Sequence, residues 1–348
     1  MSKANQLTDY SAVRDGSAGV IDLSSRGRLL VSGSEAVMFL NGLITNDMKT
    51  LAMNSWMPAV FPNVQGRLLA AVRIIHREDG FLIDTENGTL KTVAKLLERF
   101  TLAGDFRVTD LTSETATLSL QGGNASQVIF QTLGETAANV DRQKVLTVQL
   151  ENDSNVSIIR ATHTAEDGFD LFVTKREAEA LHDSLTKAGA QPVGPDALEV
   201  LRIEAGIPRY GVDMDETNVV TETNLDDAVS FTKGCYIGQE IIARIKYRGH
   251  VAKKLTGLVF ESQVALGGGV KVFSSDDKEI GRLTSSAFSP QLGRTIALGY
   301  VKYDYLAPGT SVKMIDDSER QYPARVTVLP FIRGSWYEKQ APFGAECL

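Results

Sequence analysis

The chain has 348 residues, a formal net charge of −7 and two cysteines. That length is more than one hydrophobic core usually holds, so two or three domains are expected. The acidic balance argues against a dedicated nucleic-acid binder, and two cysteines, one of them the penultimate Cys347, make no disulfide framework and fit a reducing compartment. No apolar run approaches the roughly 20 residues of a membrane helix. Residues 1–19 carry Asp9 and Asp15 and no apolar core segment, so neither a signal nor a transit peptide is expected.

Residues 20–23 and 29–31 read as short strands around a turn at 24–27. Ser34 is the expected N-cap of a helix with Val37, Leu40 and Ile44 on one face. Thr45, Asn46 and Asp47 follow, either as local backbone partners or as the polar edge of a pocket. Residues 56–61 and 67–75 form a hairpin through the turn at 63–66. Glu78-Asp79-Gly80 leads into a strand at 81–84, and a helix over 90–100 puts Leu90, Val93, Leu97 and Phe100 on one face. A short helix over 125–133 and a strand over 144–150 come next. Strand, turn, strand and helix then return at 156–160, Glu166-Asp167-Gly168, 171–173 and 175–188. The pattern predicts two α+β layers, each with helices over one face of a largely antiparallel sheet.

Residues 192–195 break the chain. Asp196 is placed to cap a helix ending at Ala205, which leads into a cluster of Arg202, Glu204, Gly206, Pro208, Tyr210, Gly211 and Asp213. The acidic loop at 213–227 has no histidine and no EF-hand spacing, so it reads as solvated rather than metal-binding. Residues 231–240 then bring together Lys233, Cys235, Gln239 and Glu240, with Gly234 and Gly238 allowing backbone to approach a bound group. A basic stretch follows: Arg244, Lys246, Arg248, His250, Lys253 and Lys254. A strand would alternate several of these onto one face. A helix is preferred, because Ile241, Ile242 and Ile245 have helical spacing and Gly249 suits the position past a C-terminus. Cys235 would then precede a helix N-terminus beside Lys233, where positive potential favours the thiolate. The alternative is a half-buried cysteine in a tight turn.

From Leu255 onward six short strands, at 255–260, 269–273, 280–285, 296–303, 311–315 and 324–329, predict a small all-β barrel or sandwich. The tail from Phe331 is expected to pack on the surface. The domain plan is therefore a ligand-binding region over 1–250, built from two interleaved α+β domains with the second at about 90–190, then a barrel over 251–335 and a tail over 336–348. No Walker A loop, dinucleotide fingerprint, nucleophile elbow or histidine metal pattern is present. The remaining set suits an anionic, aromatic ligand. Glu204 can accept N–H bonds from a heterocycle, and the basic residues can hold carboxylates or phosphates.

The run Lys233-Gly234-Cys235-Tyr236-Ile237-Gly238-Gln239-Glu240 resembles the K-G-C-x-x-G-Q-E signature of YgfZ-type proteins. These are folate-binding relatives of the glycine-cleavage T-protein and include the mitochondrial iron–sulfur assembly homologue. Residues 202–208, 39–47, 298–301 and 329–331 extend the resemblance over about 20–331. It implies an α+β, three-domain cloverleaf with two antiparallel-sheet domains and a C-terminal β-barrel around a channel for tetrahydrofolate. It also implies that Glu204 contacts the pteridine and that Cys235 is a functional thiol. Arg202, Lys233, Gly238, Gln239, Glu240, Arg244 and Arg248 are implied as further binding residues, with no metal.

One departure stands out. T-proteins carry adjacent aspartates where this chain has Ala70-Ala71, and one of them is essential for moving the aminomethyl group to folate. A methyl side chain can neither orient an amine nor relay a proton. The implied role is therefore folate-dependent help in assembling or repairing iron–sulfur clusters, with radical-SAM tRNA-thiolation enzymes among the clients. The protein is expected to be a monomer in the cytoplasm, or in the mitochondrial matrix of a eukaryote. A folate-dependent aminomethyltransferase or demethylase is the alternative. Direct tRNA binding through residues 244–254 is a third reading, disfavoured by the acidic chain.

Overall fold

The computed structural model describes residues 3–102, 104–150, 153–316 and 318–338. Its first sheet has five strands in the order Ser55–Pro62, Leu68–Arg77, Gly80–Thr85, Gly27–Ser32 and Arg107–Asp110. Alternation along Leu68–Arg77 sends Leu68, Ala70, Val72 and Ile74 inward as buried side chains. Ala70, Val72 and Ile74 meet a core built with Leu40 and Leu43 of helix Ala36–Leu43 and Val93 and Leu97 of helix Asn87–Glu98. Ala71 and Arg73 point to the other face, opposite Val60 and Pro58 in the hairpin register.

The second sheet has six strands in the order Gln191–Pro192, Gly19–Asp22, Thr115–Gln121, Gly168–Thr174, Asn155–Arg160 and Val145–Gln149. Helices Ala125–Leu133 and Ala178–Lys187 cover one side of it. On the other side Ile159, Ala161 and Phe172 pack with Ile75 and Leu82 of the first sheet. The two early strands, Gly19–Asp22 and Gly27–Ser32, are separated by one tight turn yet belong to different sheets, which is how the domains interleave. Helix Asn87–Glu98 and strand Arg107–Asp110 stay with the first sheet. The second unit therefore begins after Asp110, not near residue 90.

The six C-terminal strands, Lys253–Phe260, Arg294–Lys302, Glu279–Ser289, Lys271–Ser274, Ser311–Ile315 and Gln321–Thr327, form a closed barrel in that order. Closure removes unpaired strand edges, and Leu258, Val272, Leu283, Met314 and Val326 fill the interior. The fold is thus the α+β arrangement with a C-terminal barrel that the resemblance implied.

One helix was not anticipated, and two local expectations are corrected. Residues 3–14 form a helix, Lys3–Arg14, whose Tyr10 and Val13 pack on Ala197 and Leu201 of helix Pro195–Glu204. Ser34 caps nothing: its N–H and Oγ both donate to Asp105 Oδ2, at 2.9 and 3.0 Å, and Glu35 precedes the helix. Gly194, not Asp196, occupies the N-cap before Pro195, which suits the first helical turn because it lacks an N–H to orphan.

The tail does more than lie on the surface. The N–H groups of Phe331 and Ile332 donate to the Glu204 carbonyl at 2.9 and 3.2 Å. Beyond them, the short helix Ser335–Glu338 places the Trp336 ring 3.7 Å from the Arg142 guanidinium carbon.

Candidate functional site

A cavity of about 880 Å³ lies where the two sheets, the barrel and the tail meet. Its volume is that of a site for a drug-sized or cofactor-sized ligand. The first sheet contributes Trp56, Pro58, Ala59, Ala71 and Arg73, and the barrel contributes Lys254 and Thr256. Trp336 and Tyr337 of the tail close one side. Strand alternation explains much of the first-sheet wall: Ala71 and Arg73 lie on the face opposite the core-facing Ala70, and Val72 also borders the cavity.

One side of the cavity carries a chain of charges. Arg26 donates to both carboxylate oxygens of Asp84 and to Glu86. Arg73 bridges the sheets, donating through Nε to Asp84 at 2.9 Å and through a terminal nitrogen to Asp170. His163 Nε2 lies 2.9 Å from Asp170 Oδ2. Asp84 and Asp170 are both fully buried. Burial alone would raise their pKa values, but Arg26 and Arg73 outweigh it at Asp84, and His163 and Arg73 outweigh it at Asp170. Both carboxyls are held below the usual carboxylate range. Arg26, Arg73, Glu86 and His163 line the cavity, so the charged network that joins the sheets is also part of its wall.

The opposite lip is an acidic turn, Asp226–Ala228. Thr45 and Asn46 fix it. Thr45 Oγ1 donates to the Ala228 carbonyl at 2.6 Å, and Asn46 Nδ2 donates to the carbonyls of Pro58 at 2.9 Å and Asp227 at 3.1 Å. Thr45 and Asn46 thus act as backbone partners that fix a lining turn, and do not themselves line the cavity. Lys254 Nζ stands 3.8 Å from Asp226 Oδ2.

Gly206, Pro208 and Tyr210 of the 202–213 cluster and Lys254 of the basic stretch line the cavity, but the residues expected to bind the ligand lie elsewhere. Glu204 is fully buried and does not line the cavity. Its carboxylate accepts from Tyr10, from Arg14 Nε at 3.0 Å and a terminal Arg14 nitrogen at 2.7 Å, and from Ser289 Oγ. The expected pteridine contact is therefore replaced by a joint between the N-terminal helix, helix Pro195–Glu204 and the barrel. Arg202 is likewise spent on Asp213, Glu199 and Ser285, each at 2.5–2.6 Å.

Lys233 Nζ donates to the carbonyls of Asn41, Ile44 and Asn46 at 2.7–2.9 Å, satisfying the C-terminal end of helix Ala36–Leu43. Burial pushes its pKa down to about 8. Gly238 has φ +78°, and a β-carbon there would stand 2.3 Å from the Asn63 carbonyl oxygen, so this glycine serves the close packing of two turns.

Residues 239–248 do form the expected helix, Gln239–Arg248, followed by Gly249. Glu240 and Arg244 are exposed on it, and Gln239 Nε2 reaches only the Lys233 carbonyl, at 3.4 Å. Cys235 is exposed four residues before that helix and is not part of the cavity wall. Of the expected site residues whose side chains are described, none lines the cavity. Cys347 lies outside the described residues.

Arg26, Trp56, Arg73, His163, Asp227 and Trp336 were not singled out in the sequence. Only Arg73 carried a local signal, as a charge in the middle of the otherwise apolar run 68–75.

The profile of the GCVT N-terminal domain matches residues 3–233, and that of the glycine cleavage T-protein C-terminal barrel domain matches residues 253–332. The chain belongs to the glycine-cleavage T-protein family. Curated relatives agree. An aminomethyltransferase of Rubrobacter xylanophilus is 31% identical over 326 residues, covering 93% of this chain and 86% of that protein. An aminomethyltransferase of Thermus thermophilus is 31% identical over 330 residues, covering 94% and 90%. The fold is shared with the glycine cleavage system aminomethyltransferase T from Bartonella henselae, at a TM-score of 0.83, 23% identity and coverage of 94% and 90%. Within this T-protein-family chain, the cavity between the three domains, at about 880 Å³, has room for a cofactor-sized ligand.

Proposed function

We propose that this chain binds tetrahydrofolate in the three-domain cavity and takes part in folate-dependent one-carbon chemistry of the aminomethyltransferase class. The observation that carries the reading is the cavity itself. It has the volume of a cofactor site, two tryptophans and two tyrosines for stacking on a flat heterocycle, and both signs of charge on its rim. Its relatives, aminomethyltransferases over nearly the whole chain, support the reaction class. Lys254, at the barrel end of the wall, is available to a ligand carboxylate, because its only acidic neighbour within ion-pair range among the described residues is 3.8 Å away.

A second reading follows from Ala71. It lines the cavity at the position where the T-protein resemblance leads one to expect a catalytic aspartate. With a methyl there, this chain would bind folate without running the ancestral transfer by the ancestral route. Cys235, exposed and outside the cavity, would then be a separate functional thiol, as in the YgfZ-type role in iron–sulfur cluster assembly.

One paired experiment separates the readings. Purified protein is incubated with tetrahydrofolate and, in turn, an aminomethyl-loaded carrier protein, or sarcosine or dimethylglycine together with an added two-electron acceptor that oxidises the amine to its iminium, and the methylene-folate formed is measured. Folate-dependent turnover that survives Cys235→Ser supports the transferase. Absence of turnover, with Cys235→Ser abolishing maturation of cluster enzymes in cells, supports the assembly role. Failure of wild type to bind tetrahydrofolate at all defeats both.

A further inference from the structure

Three carboxylates line the cavity: Glu86, Asp226 and Asp227. Glu86 is taken by Arg26, and Asp226 has Lys254 at 3.8 Å. Asp227 has no cation within ion-pair distance among the described residues. Its backbone is nonetheless fixed, since Asn46 holds its own carbonyl and Thr45 holds the carbonyl of Ala228. The N–H of Ser230 donates to the Thr45 carbonyl at 3.0 Å and ties down the chain beyond. Asp227 is open to solvent on the cavity side yet crowded by the wall. That crowding, with Asp226 beside it, raises its pKa. An acid presented on a rigid turn, held only by the backbone N–H groups of Asp227 and Ala228 and with no cation paired to it among the described residues, keeps acceptor capacity for donors from a ligand.

We propose that Asp227 is the ligand-reading carboxylate of this cavity, accepting the paired N–H donors of a 2-amino-4-oxo-pyrimidine edge. Such an edge offers a ring N–H and an adjacent exocyclic amine at the spacing of two carboxylate oxygens, so the contact is a two-pronged, charge-assisted one. The proposal rests on the folate reading above and deepens it. It gives Asp227 the role that Glu204 cannot fill, because the Glu204 carboxylate is closed in by Tyr10, Arg14 and Ser289. The neighbouring Ala59 and Ala71 leave room for a flat ring to approach the turn.

The test is equilibrium titration of the full chain with tetrahydrofolate, with 6-methyltetrahydropterin and with the analogue of that pterin lacking the 2-amino group. Loss of a hydrogen bond to a charged group corresponds to about a 10- to 100-fold loss of affinity. Wild type is expected to bind the deaminated pterin that much more weakly. Asp227→Asn is expected to lose a similar factor for the intact pterin and little more for the deaminated one, since the same contact is removed twice. Equal affinity of wild type for the two pterins overturns the proposal whether or not the variant folds. Unchanged binding of tetrahydrofolate by Asp227→Asn overturns it while leaving the folate reading intact. A wild type that binds none of the three probes overturns both.

Discussion

Arg14 and Glu204 lie 190 residues apart and meet through two hydrogen bonds of 3.0 and 2.7 Å, with both side chains almost wholly out of water. Arg14 also reaches Glu166 of the second sheet domain at 2.8 Å. Ser289 brings the barrel to the same carboxylate. One arginine and one glutamate therefore tie the N-terminal helix to the second sheet domain, to helix Pro195–Glu204 and to the barrel. Removing one partner of such a buried pair leaves an uncompensated charge, a cost of about 3–5 kcal/mol. Glu204→Ala and Arg14→Ala should each lower the urea midpoint by that equivalent and should do so without ligand. A Glu204→Ala protein of wild-type stability that has lost only its ligand would return Glu204 to the binding site.

Gly238 makes the second prediction. With φ +78° and the Asn63 carbonyl 2.3 Å from where a β-carbon would sit, Gly238→Ala must displace either the start of helix Gln239–Arg248 or the hairpin turn. The expected cost is about 1–3 kcal/mol, typical of a residue forced into a strained backbone region. Gly234, with nothing within 4 Å of its β position, should tolerate alanine far better. Comparing the two melting curves checks the claim that only the second glycine of the signature is a packing requirement.

The charged network predicts an acid response. Asp84 has a folded pKa below its unfolded value, held there by Arg26 and Arg73 against the effect of burial. The unfolded chain then binds the proton first as pH falls, so the stabilisation is complete above the ordinary carboxylate pKa of about 3.9 and drains away below it. Asp170, lowered by His163 and Arg73, adds a contribution of the same sign. Urea midpoints of wild type should fall steeply from about pH 5 downward, and those of Asp84→Asn should start lower at pH 7 and fall less. Parallel slopes in the two proteins would show that Asp84 does not carry the effect.

Periodicity made much of the fold legible. The isoleucines at 241, 242 and 245 marked helix Gln239–Arg248, and the turn-separated apolar runs after Leu255 marked six strands that the structure closes into a barrel. The helix Lys3–Arg14 escaped notice because most of it is polar, and its buried side is set by the partners it meets far along the chain. The site was harder to read. Its wall is drawn from segments near residues 26, 56, 71, 163, 227, 254 and 336, each of which looks ordinary alone. The dense motif around Cys235 held the eye, but Lys233 and Gly238 there serve a helix end and a turn contact. What the motif displays is packing between the first sheet domain and helix Gln239–Arg248, whereas the ligand-sized space lies elsewhere.

The most direct measurement uses the chain's own reporters. There are two tryptophans, and both Trp56 and Trp336 line the cavity, on walls from different units. Titration with tetrahydrofolate should quench the intrinsic tryptophan emission saturably, with one ligand per chain. Trp56→Phe and Trp336→Phe should each remove part of the change. Saturable binding that leaves both tryptophans unperturbed, or no binding at all, would contradict a folate site in this cavity.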